Sequence, residues 1–159
     1  MVAPHARRSG PFPELELADP GGIGHPLAGA WREGEALFLI GHGDCSTTRL
    51  TLPYFERIHR RRTHGTALLV LQDEAAAARE LQAELGLSVP IRLEPAPYAL
   101  AAELQVEAVP TLFLVGRDGR IVRASEGFDR EALDALAAAL GIEGPLFAPD
   151  DRVPAFRPG

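Results

Sequence analysis

The chain contains one cysteine, Cys45, at a position suited to reactivity. The apolar run from 35 to 40 predicts a buried strand, and the Gly41-His42-Gly43 tripeptide after it allows a sharp change of direction. A helix is predicted after Cys45 from apolar residues on one side, at Leu50, Tyr54, Phe55 and Ile58. A cysteine at a helix N-terminus faces unpaired N–H groups and the positive end of the helix dipole, which favour the thiolate. We interpret Cys45 as a candidate nucleophile; the alternative is an inert packing residue, as most free cysteines are.

Two neighbours of Cys45 act on its sulfur in opposite directions. The helix terminus favours the thiolate by about 0.3–1 kcal/mol. The carboxylate of Asp44 opposes it by a similar amount if it lies within about 6 Å, whereas a protonated His42 would favour it. We therefore expect a reactive sulfur without strong activation. His42, Asp44 and Cys45 also suggest a metal cluster, but no second ligand group follows at metal spacing, so we predict neither a metal nor a cofactor.

Composition and charge limit the classes of function. The 159 residues fit one domain, and the net charge of −6 gives no support for nucleic-acid binding. All sixteen basic residues are arginine, so the arginine run over 57–62 is interpreted as the cationic end of a helix. One cysteine excludes an internal disulfide, and no apolar stretch resembles a signal peptide or a membrane span. We expect a cytoplasmic protein whose partner is a protein or small-molecule thiol or disulfide.

The order of predicted elements places these residues in one layered domain. Strands are predicted at 14–18 (an edge strand), 35–40, 66–71, 91–93, 111–115 and 121–124, with a loop over 23–34. Helices are predicted after Cys45, from a cap at Asp73 to Leu85, within 98–106 and after a cap at Asp129. Strands that alternate with helices predict an α/β fold, and a late hairpin makes its sheet mixed. We predict a flexible arm over 1–13, the domain over 14–141 and a Pro-rich tail, draped over the surface or disordered, over 142–159.

Three local features together resemble the thioredoxin superfamily, most closely its TlpA-like/redoxin branch. They are the strand–cysteine–helix unit Cys45-Ser46-Thr47-Thr48-Arg49 followed by Pro53, the tripeptide Val109-Pro110-Thr111, and the hairpin FLVGRDGRIVRASEGF. The resemblance implies a thioredoxin-like α/β fold with a mixed central sheet flanked by helices on both faces. It also implies that Pro110 is cis and lies against the cysteine, and that the backbone of Val109 pairs with an extended substrate.

The chain departs from this family at positions that decide its chemistry. Thr48 stands where the resolving cysteine of the Cys-x-x-Cys motif is expected, and Asp44 replaces the usual aromatic residue. A mixed disulfide on Cys45 would therefore need an external thiol for its release, with the Thr48 hydroxyl as a hydrogen-bond donor to the sulfur. We predict monothiol thiol–disulfide exchange. The alternatives are a redox-silent binding or scaffold module and a one-cysteine peroxidase, which the reversed order relative to the peroxiredoxin Thr-x-x-Cys motif disfavours.

Overall fold

A computed structural model describes residues 5–159, and within this range it has nine β-strands and four α-helices. The strands are β1 Glu16–Ala18, β2 Gly24–Pro26, β3 Ala36–Gly41, β4 Thr66–Leu71, β5 Ile91–Leu93, β6 Thr111–Val115, β7 Ile121–Glu126, β8 Phe128–Asp129 and β9 Phe156–Arg157. The helices are α1 Ser46–Arg61, α2 Ala75–Leu85, α3 Ala99–Glu103 and α4 Arg130–Ala139, with a 3₁₀ turn at Leu27–Ala30. No helix in the described range is both long and apolar enough to cross a membrane.

Seven strands form one mixed sheet in the order β2-β1-β5-β4-β3-β6-β7. β3, β4 and β5 run parallel, because α1 and α2 serve as the crossover connections between them. β6 pairs antiparallel with both β3 and β7, and the β6–β7 pair is the predicted hairpin. The mixed α/β sheet predicted from the sequence is therefore confirmed.

Both faces of this sheet are covered, since its central strands are apolar along their whole length. Successive side chains of a strand point to opposite faces, so Leu37 and Leu39 of β3 lie in one core while Phe38 and Ile40 lie in the other. α1, α2 and α4 cover the first face, and α3, the 3₁₀ turn and Trp31 cover the second. The predicted placement of helices on both faces is confirmed.

The first strand and the first turn of α2 differ from the prediction. β1 is not an edge strand, because part of the predicted loop forms β2, which pairs antiparallel with β1 and takes the edge. The Asp19 carboxylate shapes the turn between the two strands by accepting hydrogen bonds from the amides of Gly21 and Ile23 at 2.9 and 3.0 Å. Asp73 does not cap α2; the N-cap is Glu74, without a side-chain hydrogen bond. The predicted cap at Asp129 is present, and its carboxylate accepts from the Ala132 amide at 3.0 Å.

Residues 5–13, predicted as part of a flexible arm, pack against the sheet. Phe12 is 2% exposed and stacks on Phe38 with the ring centroids 4.5 Å apart. Its amide donates to the Gly119 carbonyl at 2.8 Å, and that of Arg7 donates to Leu104 at the same distance. Apolar burial and backbone hydrogen bonds therefore hold this segment in place. Residues 1–4 of the predicted arm lie outside the described range.

The segment after α4 has a buried part followed by an exposed part. Leu146 and Phe147 are buried, and the ring of Phe147 lies 4.7 Å from that of Tyr54 between centroids. Residues 154–159 are exposed, yet they include β9, which pairs antiparallel with β8. This segment, predicted as draped over the surface or disordered, therefore has a part in the core and a part paired as a strand.

Candidate functional site

Cys45 lies at the junction of β3 and α1. It is the N-cap of α1, with an extended backbone, and the residue is half-buried. Its sulfur makes two hydrogen bonds, accepting one from the Thr48 amide at 3.5 Å and donating one to the Val109 carbonyl at 3.3 Å. The sulfur is therefore the acceptor in one contact and the donor in the other.

The pairing of β6 with β3 brings the Val109 carbonyl to the cysteine. The two strands are antiparallel with Ile40 opposite Thr111, so the end of β3 and the start of β6 share one edge of the sheet. The loop before β6 contains a cis Val109–Pro110 peptide bond and lies beside the first turn of α1. Thr111 closes this loop by donating its hydroxyl to the Ala108 carbonyl at 2.8 Å. Residues 64 positions apart in sequence thus form one site.

The side chain of Thr48 is fully buried and does not hydrogen-bond to the sulfur, contrary to the role predicted for its hydroxyl. The hydroxyl oxygen instead accepts a hydrogen bond from the His42 amide at 3.4 Å, and only the backbone amide of Thr48 contacts the sulfur. Gly41 makes room for this arrangement, because a methyl group there would lie 2.7 Å from the Thr48 methyl. Thr48 therefore joins the end of β3 to the first turn of α1.

His42 and Asp44, the predicted modulators of the sulfur, are oriented differently from the expectation. The His42 Nδ1 accepts from the Asp44 amide at 3.0 Å and lies 3.6 Å from a carboxylate oxygen of Asp73. No hydrogen bond of the described residues joins the His42 ring to Cys45. The Asp44 side chain is 97% exposed, so water screens its charge from the sulfur. Within residues 5–159, no three His, Cys, Asp or Glu side chains come close enough to hold a metal ion.

Asp73, which the sequence assigned to a helix cap, is a support of this site. Its carboxylate is 6% exposed and accepts a hydrogen bond from the Gly43 amide at 2.9 Å. The loop between β3 and Cys45 is therefore fixed by a residue from the end of β4. Sequence reasoning missed this role because the partners are 30 residues apart and share no motif.

Residues 157–159 also lie at the site, which no sequence pattern indicated. The Thr47 hydroxyl donates to the Pro158 carbonyl at 2.8 Å, and the Arg157 guanidinium donates to the Ser46 hydroxyl at 2.9 Å. Gly159 packs against the backbone of Val109. Residues 157–159 therefore contact both the first turn of α1 and the loop of Val109.

Charged groups on the remaining length of α1 fix its position. The Arg57 guanidinium donates to the carboxylate of Asp151 at 2.6 Å, which lowers the pKa of Asp151 and raises that of Arg57. Burial alone would raise the pKa of the Glu56 carboxyl, but hydrogen bonds from Arg60, Ser88 and Val89 together hold it below its ordinary value. Desolvation lowers the pKa of His59. α1 is thus connected to the segments on both of its sides.

The chain is similar in structure to solved redox proteins. A candidate thiol:disulfide interchange protein DsbE from Chlorobium tepidum has a TM-score of 0.74 at 19% identity, covering 86% of this chain and 100% of that one. A candidate protein disulfide isomerase from Bacteroides thetaiotaomicron has a TM-score of 0.73 at 18% identity, covering 84% and 87%. The peroxidoxin BcpB from Mycobacterium tuberculosis has a TM-score of 0.72 at 15% identity, covering 86% and 97%.

These likenesses establish the fold. No protein-family model matches the chain, and a search of curated proteins gives no match either. The structural neighbours have the thioredoxin fold, and the chain shares it, as its motifs implied. Sequence identities of 15–19% support a conclusion about the fold alone.

Proposed function

We propose that this thioredoxin-fold chain, of the TlpA-like/redoxin type, carries out thiol–disulfide exchange through Cys45 alone. The observation that supports this most directly is the 3.3 Å contact between the Cys45 sulfur and the Val109 carbonyl, in the loop of the cis Val109–Pro110 bond. A sulfur that can attack and a backbone that can hold an extended partner lie side by side, as exchange requires. The partner is a protein or small-molecule disulfide.

The first step exchanges one sulfur–sulfur bond for another. The Cys45 thiolate attacks one sulfur of a disulfide R–S–S–R′, so that Cys45–S–S–R forms and R′–S⁻ leaves. The Thr48 amide lies 3.5 Å from the sulfur and stabilises the attacking thiolate. Loss of the S–H proton also frees the Val109 carbonyl, which then accepts a hydrogen bond from the backbone of the partner.

The second step needs a thiol from outside the chain. Thr48 occupies the resolving position, and the chain has no other cysteine. A small thiol of the glutathione class, R″–S⁻, attacks the mixed disulfide, forms R–S–S–R″ and restores the Cys45 thiolate. Dependence on an external reductant fits a reducing compartment, so a cytoplasmic location stays our prediction. His42 and Asp44 are assigned to shaping the loop before Cys45, where the Asp44 amide donates to the His42 ring.

The test compares two reactions of the same sulfur. Mixed-disulfide formation with an extended peptide disulfide depends on Val109, whereas alkylation by iodoacetamide depends only on access to the thiolate. We expect the ratio of the two rate constants to be about tenfold higher in the folded chain than in the chain unfolded by urea, because the backbone hydrogen bonds at Val109 hold the peptide. A Cys45→Ser variant checks that both signals come from this sulfur. Equal ratios in the folded and unfolded chains would refute exchange.

A redox-silent binding module is the second candidate, because Thr48 stands at the resolving position and the sequence has no second cysteine. The S–H group, which donates to the Val109 carbonyl at 3.3 Å, is turned towards the protein. On this reading, the groove binds an extended segment and Cys45 contributes only packing. A folded chain that binds the reduced peptide but forms no mixed disulfide with its oxidised form would support this second candidate.

A further inference from the structure

Residues 155–159 follow an extended path beside the site. β9 pairs antiparallel with β8, with Arg157 opposite Phe128, and the Arg130 amide donates to the Ala155 carbonyl at 3.0 Å. The chain reaches this position from Asp151, which is fixed by its ion pair with Arg57. This short stretch, the 155–159 segment, is therefore a strand added to the edge of β8.

On one side, the 155–159 segment contacts the first turn of α1. The Thr47 hydroxyl donates to the Pro158 carbonyl at 2.8 Å, and Arg157 donates to the Ser46 hydroxyl at 2.9 Å. Thr47 is only 3% exposed. Two consecutive residues directly after Cys45 thus hold the backbone and a side chain of the segment.

On the other side, the segment contacts the loop of Val109 and Pro110. Gly159 lies so close to the Val109 backbone that a methyl group on it would overlap the carbonyl oxygen. Gly127, with φ at +72°, lies between the loop and the segment. Its amide donates to the Pro110 carbonyl of the loop at 2.8 Å, and a methyl group on Gly127 would lie 3.2 Å from the Cα atom of Pro158 in the segment. The segment therefore contacts the same Val109 carbonyl that accepts the thiol hydrogen bond.

We infer that the 155–159 segment is a built-in occupant of the substrate groove, which competes with disulfide partners for the surface around Cys45. It is extended, it uses backbone groups, and it contacts both Thr47 and Val109, as an external extended partner would. The inference rests on the proposed function, because it assigns a regulator to the same site. A partner reaches Val109 only after the segment has left.

The way the segment is held makes its release feasible. All five of its residues are exposed, and Phe156, its one large apolar side chain, is 56% exposed. Its attachment consists of hydrogen bonds without a buried apolar anchor, and the ordering of an exposed strand opposes them. The ion pair of Asp151 and the packing of Val153 on the core stay in place when the segment leaves, so the chain bends after Val153.

The experiment uses the full chain and measures the rate of Cys45 alkylation by iodoacetamide. The test variant, Thr47→Val with Arg157→Ala, removes the two side-chain hydrogen bonds to the segment. The control variant, Thr63→Val with Arg79→Ala, makes the same two chemical changes at exposed residues whose side chains donate to the carbonyls of Gly141 and Pro20, away from the segment. We expect alkylation of the test variant to be about thirtyfold faster than that of the control, the factor that loss of two ordinary hydrogen bonds produces. A synthetic peptide of residues 153–159 should slow alkylation of the single variant Arg157→Ala, which keeps the Thr47 hydroxyl, and a scrambled peptide should not.

Equal alkylation rates in the test and control variants, with equal melting temperatures, would overturn the inference. Iodoacetamide reports access to the sulfur without disulfide chemistry. If exchange with a peptide disulfide fails, faster alkylation of the test variant still supports the segment as an occupant of the groove. If the alkylation rate is unchanged, exchange through Cys45 is not contradicted. The two proposals thus fail separately.

A measurement on the unmodified chain covers the case in which the test variant does not fold. Arg130 is the first residue of α4, so its amide has no partner within the helix and depends on the Ala155 carbonyl. Coupling a cysteine peptide to Cys45 through a mixed disulfide should expel the segment and accelerate hydrogen exchange of the Arg130 amide. Unchanged protection of that amide in the coupled protein would overturn the inference.

Discussion

The substitution Glu56→Gln tests how much of the stability of the fold depends on one buried carboxylate of α1. Glu56 is 6% exposed and accepts hydrogen bonds from the amides of Ser88 and Val89, each at 2.9 Å, from the Ser88 hydroxyl at 2.6 Å and from Arg60. Glutamine keeps one acceptor oxygen and turns an NH₂ group towards these donors. The oxygen that accepts from the two amides is kept, but the charge-assisted hydrogen bonds from the Ser88 hydroxyl and Arg60 are lost, at about 1.5–3 kcal/mol each. We expect a loss of about 3 kcal/mol, which lowers the melting temperature by about 6–12 °C for a domain of this size.

The assay is urea unfolding followed by circular dichroism across a range of pH. The folded-state pKa of Glu56 lies below its ordinary value, so its contribution to the free energy of unfolding is fully present above the unfolded-state pKa. The contribution is lost as the pH falls through the folded-state pKa, where the protonated carboxyl resembles the amide of glutamine. The difference between the wild type and Glu56→Gln should therefore be largest near neutral pH and shrink in acid.

The matched control is Glu84→Gln, because Glu84 also pairs with an arginine but is 57% exposed. An exposed ion pair contributes about 0–1 kcal/mol, so this variant should keep nearly the full stability of the wild type. The reasoning would be refuted if Glu56→Gln cost no more than Glu84→Gln at neutral pH. A cost that stayed constant through acidic pH would refute the part that assigns it to the ionised carboxylate.

Three further substitutions have defined expected outcomes. Thr48→Cys places a second sulfur one helical turn from Cys45, so mild oxidation should form an internal disulfide and abolish alkylation of Cys45 until a reductant is added; persistence of two free thiols after oxidation would contradict the geometry. Phe12→Ala removes a ring that is 2% exposed, and urea unfolding should show a loss of about 3–5 kcal/mol, far more than an exposed arm would give. Asp129→Ala removes the cap of α4 and should cost about 0.5–2 kcal/mol in the same assay, with a cost near zero contradicting the cap.

The central strands could be predicted closely because their signal is local. β4, β5 and β6 occupy the predicted residues, since each is an apolar run bounded by glycine, proline or polar residues. The contact between Cys45 and the loop at Val109 is not local, and only the motif resemblance predicted it. The structure supplies its cause in the antiparallel pairing of β6 with β3.

The parts that the sequence did not predict depend on partners far along the chain. β2 has three residues and exists because it pairs with β1, so no periodic pattern indicates it. The segment at Phe12 resembles an arm in composition, yet the ring fills a gap beside Phe38 that only the folded sheet creates. The hydroxyl of Thr48 has an acceptor role towards the His42 amide that depends on the path of the Gly41 backbone. These three contacts join residues that only the folded chain brings together, so composition and spacing do not indicate them.

The hydrogen bond from the Gly43 amide to the carboxylate of Asp73 has a consequence for how fast partners are captured. Because Asp73 lies in a different connection of the fold, after β4, this bond gives the loop between β3 and Cys45 its final shape before any partner arrives. Preorganisation of this kind reduces the conformational entropy lost on association, so encounter need not wait for the loop to rearrange. An Asp73→Asn exchange would therefore act mainly on association rates, at a distance of 28 positions from the sulfur in sequence.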